Sequence, residues 1–152
     1  MQVDDTDRRL LRLLQASPTI STADLAVQAG MTVAPCWRRL EKLKTAGVLK
    51  GKRVVVDMRA LGYGVQVFLR INLDKTAPNA FAEFLAAARD IAEVDTIQTL
   101  LGRVDIRMDV LARDLAHYQD IYKGKILALP HIADIEALML VSEVKNTEAL
   151  PL

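Results

Sequence analysis

The stretch that most constrains this chain covers residues 21–48 and reads S-T-A-D-L-A-V-Q-A-G-M-T-V-A-P-C-W-R-R-L-E-K-L-K-T-A-G-V. It divides into a short helix, a turn at Gly30 and a longer basic helix over residues 32–46. Ser21 with Asp24 three residues on is the pattern of a capping box, and Leu25, Ala26 and Ala29 give the short helix an apolar edge. Two such helices bury their apolar sides only by crossing closely. Ala26 is small enough to allow this, and Gly30 can take the left-handed conformation such a turn requires. The pattern is that of a helix-turn-helix.

In the second helix Thr32 is placed to cap, Pro35 falls in the first turn, where its missing amide hydrogen costs little, and Gly47 marks the end. Val33, Cys36, Leu40 and Leu43 recur at i, i+3, i+7 and i+10 and read as the inward face. The opposite face carries Ala34, Arg38, Glu41 and Thr45, flanked by Pro35 and Lys42, with Arg39 and Lys44 nearer the core boundary. The alternative is an ordinary amphipathic helix with a solvated polar face. From Arg38 to Arg53, however, seven cations oppose the single acid Glu41, a local net of 7 − 1 = +6, whereas solvated faces usually mix signs. Turn and charge together point to duplex DNA. The predicted DNA contacts are Thr32, Ala34, Pro35, Arg38, Arg39, Lys42, Lys50, Lys52 and Arg53. Arg38 is expected to read base edges, and Arg39, Lys42 and Lys52 to hold phosphates. Trp37, beside the inward stripe, is expected to pack on the first helix of the chain rather than lie against a sugar.

The chain's 152 residues allow one ordinary domain or two small ones, and an apolar share of 51% is ample for a packed core. The overall charge of +1 hides an asymmetry. Residues 1–60 hold 11 Lys and Arg against 6 Asp and Glu (+5), and residues 61–152 hold 9 against 13 (−4). A basic first part points to an anionic partner and leaves the second for another task. The acidic start shows no signal-peptide pattern, and no apolar run approaches the ~20 residues of a membrane span, so a cytoplasmic location on the nucleoid is expected. The lone Cys36 lies on the inward face and reads as a small core residue.

A first helix is expected over residues 5–15, capped by Asp4, with Leu10, Leu11, Leu13 and Leu14 as its apolar stripe. After Gly47, residues 48–49 and 54–56 read as two short strands of a basic wing around Lys50, Gly51, Lys52 and Arg53. Residues 57–64 form the expected linker, dividing a DNA-binding domain (1–60) from a second domain (61–152). Residues 65–73 then alternate apolar and polar, a strand with one core face. A helix carrying Phe81, Phe84, Leu85 and Ala88 follows, then strands over residues 94–101 and 106–112. A helix capped by Asp114 and buried through Leu115, Tyr118, Ile121, Tyr122 and Leu129 leads to a last strand over residues 132–144. The order βαββαβ builds an α+β, ferredoxin-like layer of four antiparallel strands with both helices on one face. Phe68 on the other face points to a second subunit.

The chain resembles the Lrp/AsnC, or feast/famine, family of transcriptional regulators over nearly its whole length. The motifs that carry the resemblance are D-x-x-D-R-R-L-L-x-L-L-Q (4–15), I-S-T-A-D-L-A (20–26), P-C-W-R-R-L-E-K-L (35–43), A-G-V-L (46–49), L-G-x-x-D (101–105), A-R-D-L (112–115), L-P-H-I (129–132) and V-K (144–145). The resemblance implies a winged helix-turn-helix, a ferredoxin-like amino-acid-binding (RAM) domain, homodimers that assemble into octamers, and control of transcription by an amino acid. It also implies an effector site at Gln98, Thr99, Leu101, Gly102, Arg103, Val104 and Asp105, a stretch that on residues alone is a plain hairpin. There Asp105 would take the effector's ammonium, Arg103 and loop amides its carboxylate, and Leu101 with Val104 its side chain. Replacing Asp105 by Ala is then expected to spare the fold. The chain departs from the family pattern at Met31-Thr32, where Leu-Ser is usual, at Lys52, often an aromatic, and at Arg103-Val104.

Two other classes compete. A more distant resemblance to sirohaem decarboxylases of the same architecture raises an enzyme, but His117 and His131 have no second ligand at metal spacing and no catalytic constellation stands out. No enzyme activity, cofactor or metal is expected. A module that only oligomerises, without DNA, is the third class, and salt-dependent DNA retention separates it from a regulator.

Overall fold

The computed structural model describes residues 2–147 and 149–152. The chain divides into two compact units: one runs to Val55 and takes in Lys145–Leu152, and the other is Val56–Val144. Lys145–Leu152, at the end of the expected second domain, packs with the first unit, where Arg12 Nε donates to the Leu152 carbonyl at 2.9 Å and the Leu150 amide donates to Gln15 Oε1 at 2.6 Å.

The first unit contains α1 (Asp5–Ala16), α2 (Thr22–Ala29) and α3 (Val33–Thr45). Asp4 caps α1 in a reciprocal box with Asp7. Ser21 Oγ accepts the Asp24 amide at the start of α2, and Gly30 at its end is left-handed, with φ of 70°. Leu10, Leu25, Ala26, Ala29, Cys36 and Leu40 are buried together, with Leu13, Leu14, Ile20, Met31 and Leu49 packed around them. Burial pushes the Cys36 thiol pKa up, as for a core thiol. Val33 was expected in this core and is not there. At the first position of α3 it is 49% exposed. Thr32 takes the extended N-cap backbone conformation, but its side chain makes no capping bond. The expected wing strands are absent as well: residues 50–57 are in neither helix nor strand, and Val54, Val55 and Val56 are exposed. An extended segment registers as a strand only when a neighbouring backbone pairs with it in a ladder, and the described sheet is made of other segments.

The second unit contains β1 (Val65–Leu73), α4 (Ala80–Arg89), β2 (Val94–Thr99), β3 (Ile106–Ala112), α5 (Leu115–Ile121) and β4 (Ile132–Met139). The strands form one antiparallel sheet in the order β2-β3-β1-β4. Alternation places Val67, Leu69, Ile71 and Leu73 of β1 and Ile106, Met108, Val110 and Ala112 of β3 on the core face, under Phe84 and Ala88 of α4 and Tyr118 and Ile121 of α5. Three elements end earlier than expected. β2 stops at Thr99, β4 stops at Met139, and α5 passes at Tyr122 into a π-helical turn, Tyr122–Ile126, around Gly124. Leu115, expected to be buried, is 52% exposed, and Phe81 on the apolar stripe of α4 is 38% exposed.

Candidate DNA-binding surface and effector loop

The cations of α3 fall into two groups. Arg39 is turned back onto α1, its Nη1 lying 2.8 Å from Asp4 Oδ2 and 2.8 Å from Asp7 Oδ1. Asp7 is buried, so its carboxylate needs this partner. The Asp7 backbone amide and the guanidinium together hold the Asp4 pKa below the usual carboxylate range. Arg39 therefore clamps α3 to α1, which departs from the free phosphate-holding cation expected of it. Lys44 pairs with Glu41 at 2.6 Å along the helix. Arg38 and Lys42 are exposed, and neither forms an ion pair among the described residues. Together with Pro35 they line a shallow depression that also receives Gln2, Asp4 and Asp7. Thr32 and Ala34 are exposed at the helix start, and Lys50, Lys52 and Arg53 are exposed beyond its end. A helix with small residues first, two uncommitted cations next and a basic segment after it has the shape and charge that a major groove accepts.

Trp37, expected to be covered by packing on α1, is more than half uncovered, at 56% exposed on α3. Helical spacing put it beside the inward stripe, and a side chain at that flank is covered only if a neighbouring helix reaches it.

In the second unit the residues predicted to meet an effector surround the β2–β3 turn. Gln98 and Thr99 pair with Arg107 and Ile106 and are exposed, as are Leu101, Gly102 and Arg103, while Val104 is half-buried. Gly102 has φ of 146°, a conformation open to glycine. Asp105 is buried and fully occupied. Its amide donates to Ile71 O at 3.2 Å and to Asn72 Oδ1 at 3.1 Å. Its Oδ2 accepts the Leu73 amide at 3.0 Å, and its Oδ1 lies 2.8 Å from Lys75 Nζ. Lys75 and then the Leu73 amide hold its carboxyl pKa below the ordinary value. The turn thus brings the predicted residues to one hairpin, but Asp105 is a tie between β3 and the end of β1. An alanine there removes fold contacts, contrary to the expectation that it would be structurally silent. Lys75, which carries a primary ammonium to that carboxylate, was missed because its spacing to Asp105 follows no motif.

The sheet face away from the helices carries Phe68, Arg107 and Asp109. The Arg107 guanidinium stacks 4.8 Å from the Phe68 ring centroid, and its Nη2 donates to Asp109 Oδ2 at 3.2 Å. Nε lies 3.2 Å from the other Asp109 oxygen, an attraction without hydrogen-bond geometry. Burial pushes the Asp109 carboxyl pKa up, with Arg107 opposing. The histidines take local roles. His117 Nδ1 accepts the Arg113 amide at 3.1 Å, and His131, at positive φ, contacts Glu83.

Comparison with known proteins gives the same two parts, with the second match running on into the segment that packs with the first unit. The winged helix-turn-helix DNA-binding family model matches residues 3–50, and the Lrp/AsnC ligand binding domain matches residues 66–150. The DNA-binding transcriptional activator DecR of Escherichia coli (strain K12) is 30% identical over 150 residues, covering 99% of each chain. The solved AsnC family transcriptional regulator from Agrobacterium tumefaciens superposes with a TM-score of 0.87 at 30% identity, over 97% of this chain and 96% of that one. A transcriptional regulator from Neisseria meningitidis, solved in complex with L-methionine, shares the fold with a TM-score of 0.90 at 24% identity, over 99% and 97% of the two chains. With a ligand-binding family model over more than half its length and a 30% identical regulator along nearly all of it, this chain belongs to the Lrp/AsnC family of transcriptional regulators.

Proposed function

We propose that this protein binds specific duplex DNA through α3 and that an amino acid bound near the β2–β3 turn modulates that binding. The observation that carries the DNA half is the partition of the α3 cations. Arg39 and Lys44 are engaged within the unit, while Arg38 and Lys42 stay exposed and unpaired beside small residues. Of the predicted contacts, Arg38 reads base edges, Lys42, Lys50, Lys52 and Arg53 hold phosphates, and Thr32, Ala34 and Pro35 let the backbone approach. The effector half is supported by the family membership and by the methionine carried by the Neisseria meningitidis protein. Gln98, Thr99, Leu101, Gly102, Arg103 and Val104 offer polar groups, a glycine turn and an apolar wall at one hairpin tip. Asp105 can take an effector ammonium there only if Lys75 yields its place.

The protein acts as a homodimer joined through the open sheet face, where half-buried Phe68 and Arg107 stand over buried Asp109 and a second copy would cover them, and dimers assemble further into octamers. A dimer reads pseudo-palindromic sites with half-sites about 10 bp or a multiple of that apart. It is a regulator and not an enzyme, acting on chromosomal DNA in the cytoplasm. Among the described residues no helix is long and apolar enough to cross a membrane. Selection of bound sequences from a random duplex pool, followed by titration with and without each of the twenty amino acids, tests both halves. Enrichment of a palindrome whose affinity shifts with one amino acid is expected. Retention of every sequence alike would overturn the reading.

A further inference from the structure

The groove-facing side of α3 carries more than charge. Val33 and Trp37 stand at i and i+4 along the edge of the inward stripe, and Ala34 and Arg38, also i and i+4, stand on the adjoining outer face over the same first turns. In helix-turn-helix proteins this is the part of the recognition helix that meets base edges. Val33 is 49% and Trp37 56% exposed, although valine and tryptophan ordinarily lose most of their surface to a core. The core of this unit is filled without them by Leu10, Leu25, Ala26, Ala29, Cys36 and Leu40. Their neighbour Arg38 is exposed and forms no ion pair among the described residues, so the exposed start of α3 presents apolar side chains and the cation assigned to base reading within the same two turns. Of the four base pairs, only those with thymine present an apolar group, the C5 methyl, in the major groove.

We propose that Val33 and Trp37 form an apolar shelf that reads a thymine methyl, in the same half-site as the base contacted by Arg38. This rests on the DNA-binding reading above and adds to it the base class that the helix start selects. Guanine is the natural partner for Arg38, since its O6 and N7 accept the two parallel donors of a guanidinium. The preferred half-site therefore contains a thymine next to a guanine, in an order set by the direction of α3 in the groove.

The test uses duplexes enriched from a random pool by the full chain. Each thymine is replaced singly by deoxyuridine, which removes only the methyl and leaves pairing intact. At one or more positions per half-site, binding should weaken about fourfold, the equivalent of exposing roughly one buried methylene. That penalty should vanish in Trp37→Ala and shrink in Val33→Ala, each checked by thermal melting to be folded. Trp37 is the chain's single tryptophan, so its emission reports this position alone and should shift to the blue and lose acrylamide accessibility on saturation with DNA. A wild-type scan with no uracil-sensitive position overturns the inference even if binding is tight. So does a penalty that persists unchanged in folded Trp37→Ala, or emission indifferent to bound DNA. Failure to enrich any sequence overturns the DNA reading itself and this inference with it.

Discussion

The start of α3 and the β2–β3 turn differ in what their polar groups are already doing. At α3 two of the cations are already paired, Arg39 with Asp4 and Asp7 at the start of the first helix and Lys44 with Glu41 along its own helix, and Arg38, Lys42 and Trp37 remain for a partner. At the turn the most conspicuous polar residue, Asp105, has both carboxylate oxygens and its amide engaged by Leu73, Lys75, Ile71 and Asn72. A surface that keeps uncommitted cations binds an anion with little rearrangement. A buried carboxylate with a full set of partners serves the fold first and meets a ligand only by exchange. The neighbours Arg38 and Arg39 show the same contrast within one helix turn.

The largest expected effect is on that pair. Arg39→Ala leaves the buried Asp7 carboxylate without its cation and should lower stability by about 1–3 kcal/mol, read as a fall in the urea midpoint at constant m value. Arg38→Ala should stay within about 0.5 kcal/mol in the same assay and instead lose on the order of 1–3 kcal/mol of discrimination at one base pair. Equal loss of stability in both would erase the distinction. Asp105→Ala should come next, because the Leu73 amide loses its buried acceptor, at a cost of about 1–3 kcal/mol. Asp105→Asn, which keeps an acceptor, should fall by less. A melting temperature unchanged in Asp105→Ala would return that residue to the effector alone.

Smaller effects follow from solvent-facing charges. Lys42→Ala and Lys52→Ala should each flatten the logarithmic dependence of DNA affinity on salt by about one unit, without changing sequence preference. Lys75→Met should cost at most about 1 kcal/mol, since its ammonium is largely exposed. It should also change the pH profile. Asp105 and Glu93 are held below their ordinary pKa, mainly by Lys75 and Lys125 respectively. A depressed carboxyl stabilises the fold fully above its unfolded pKa of about 4, and that contribution fades as pH falls through the lower folded value. Stability should therefore be flat near neutrality and fall below about pH 4, with a shallower fall in Lys75→Met. An unchanged acid limb in that variant would remove Lys75 from the turn's electrostatics.

Much of this was legible in the sequence, for local reasons. The period of two fixed β1 to the residue because both its neighbours, β3 and β4, hydrogen-bond along it. The capping pattern at Ser21 and the glycine at position 30 placed α2 because both act within a few residues. The misses depend on partners distant in the chain. Val54–Val56 have the β-branched composition of a strand, but a strand exists only where a neighbouring backbone pairs with it. The apolar residues Val141 and Val144 extended β4 on paper, yet they stand 90% and 95% exposed past its end. A helical wheel put Arg39 at the edge of the core, but Asp4 and Asp7 lie 35 and 32 positions away and no local pattern names them. Asp105 was read through a four-residue turn, while its ties reach back to Asn72 and Leu73.

The most direct test compares Arg38→Ala, Arg39→Ala and the wild type on an enriched duplex and on a scrambled duplex of equal length, by fluorescence anisotropy at two salt concentrations, beside urea melts of each protein. The wild type should prefer the enriched duplex, Arg38→Ala should keep full stability while binding both duplexes nearly alike, and Arg39→Ala should keep its preference while melting at lower urea. Undiminished preference in a folded Arg38→Ala would contradict the assignment of α3 as the surface that reads DNA.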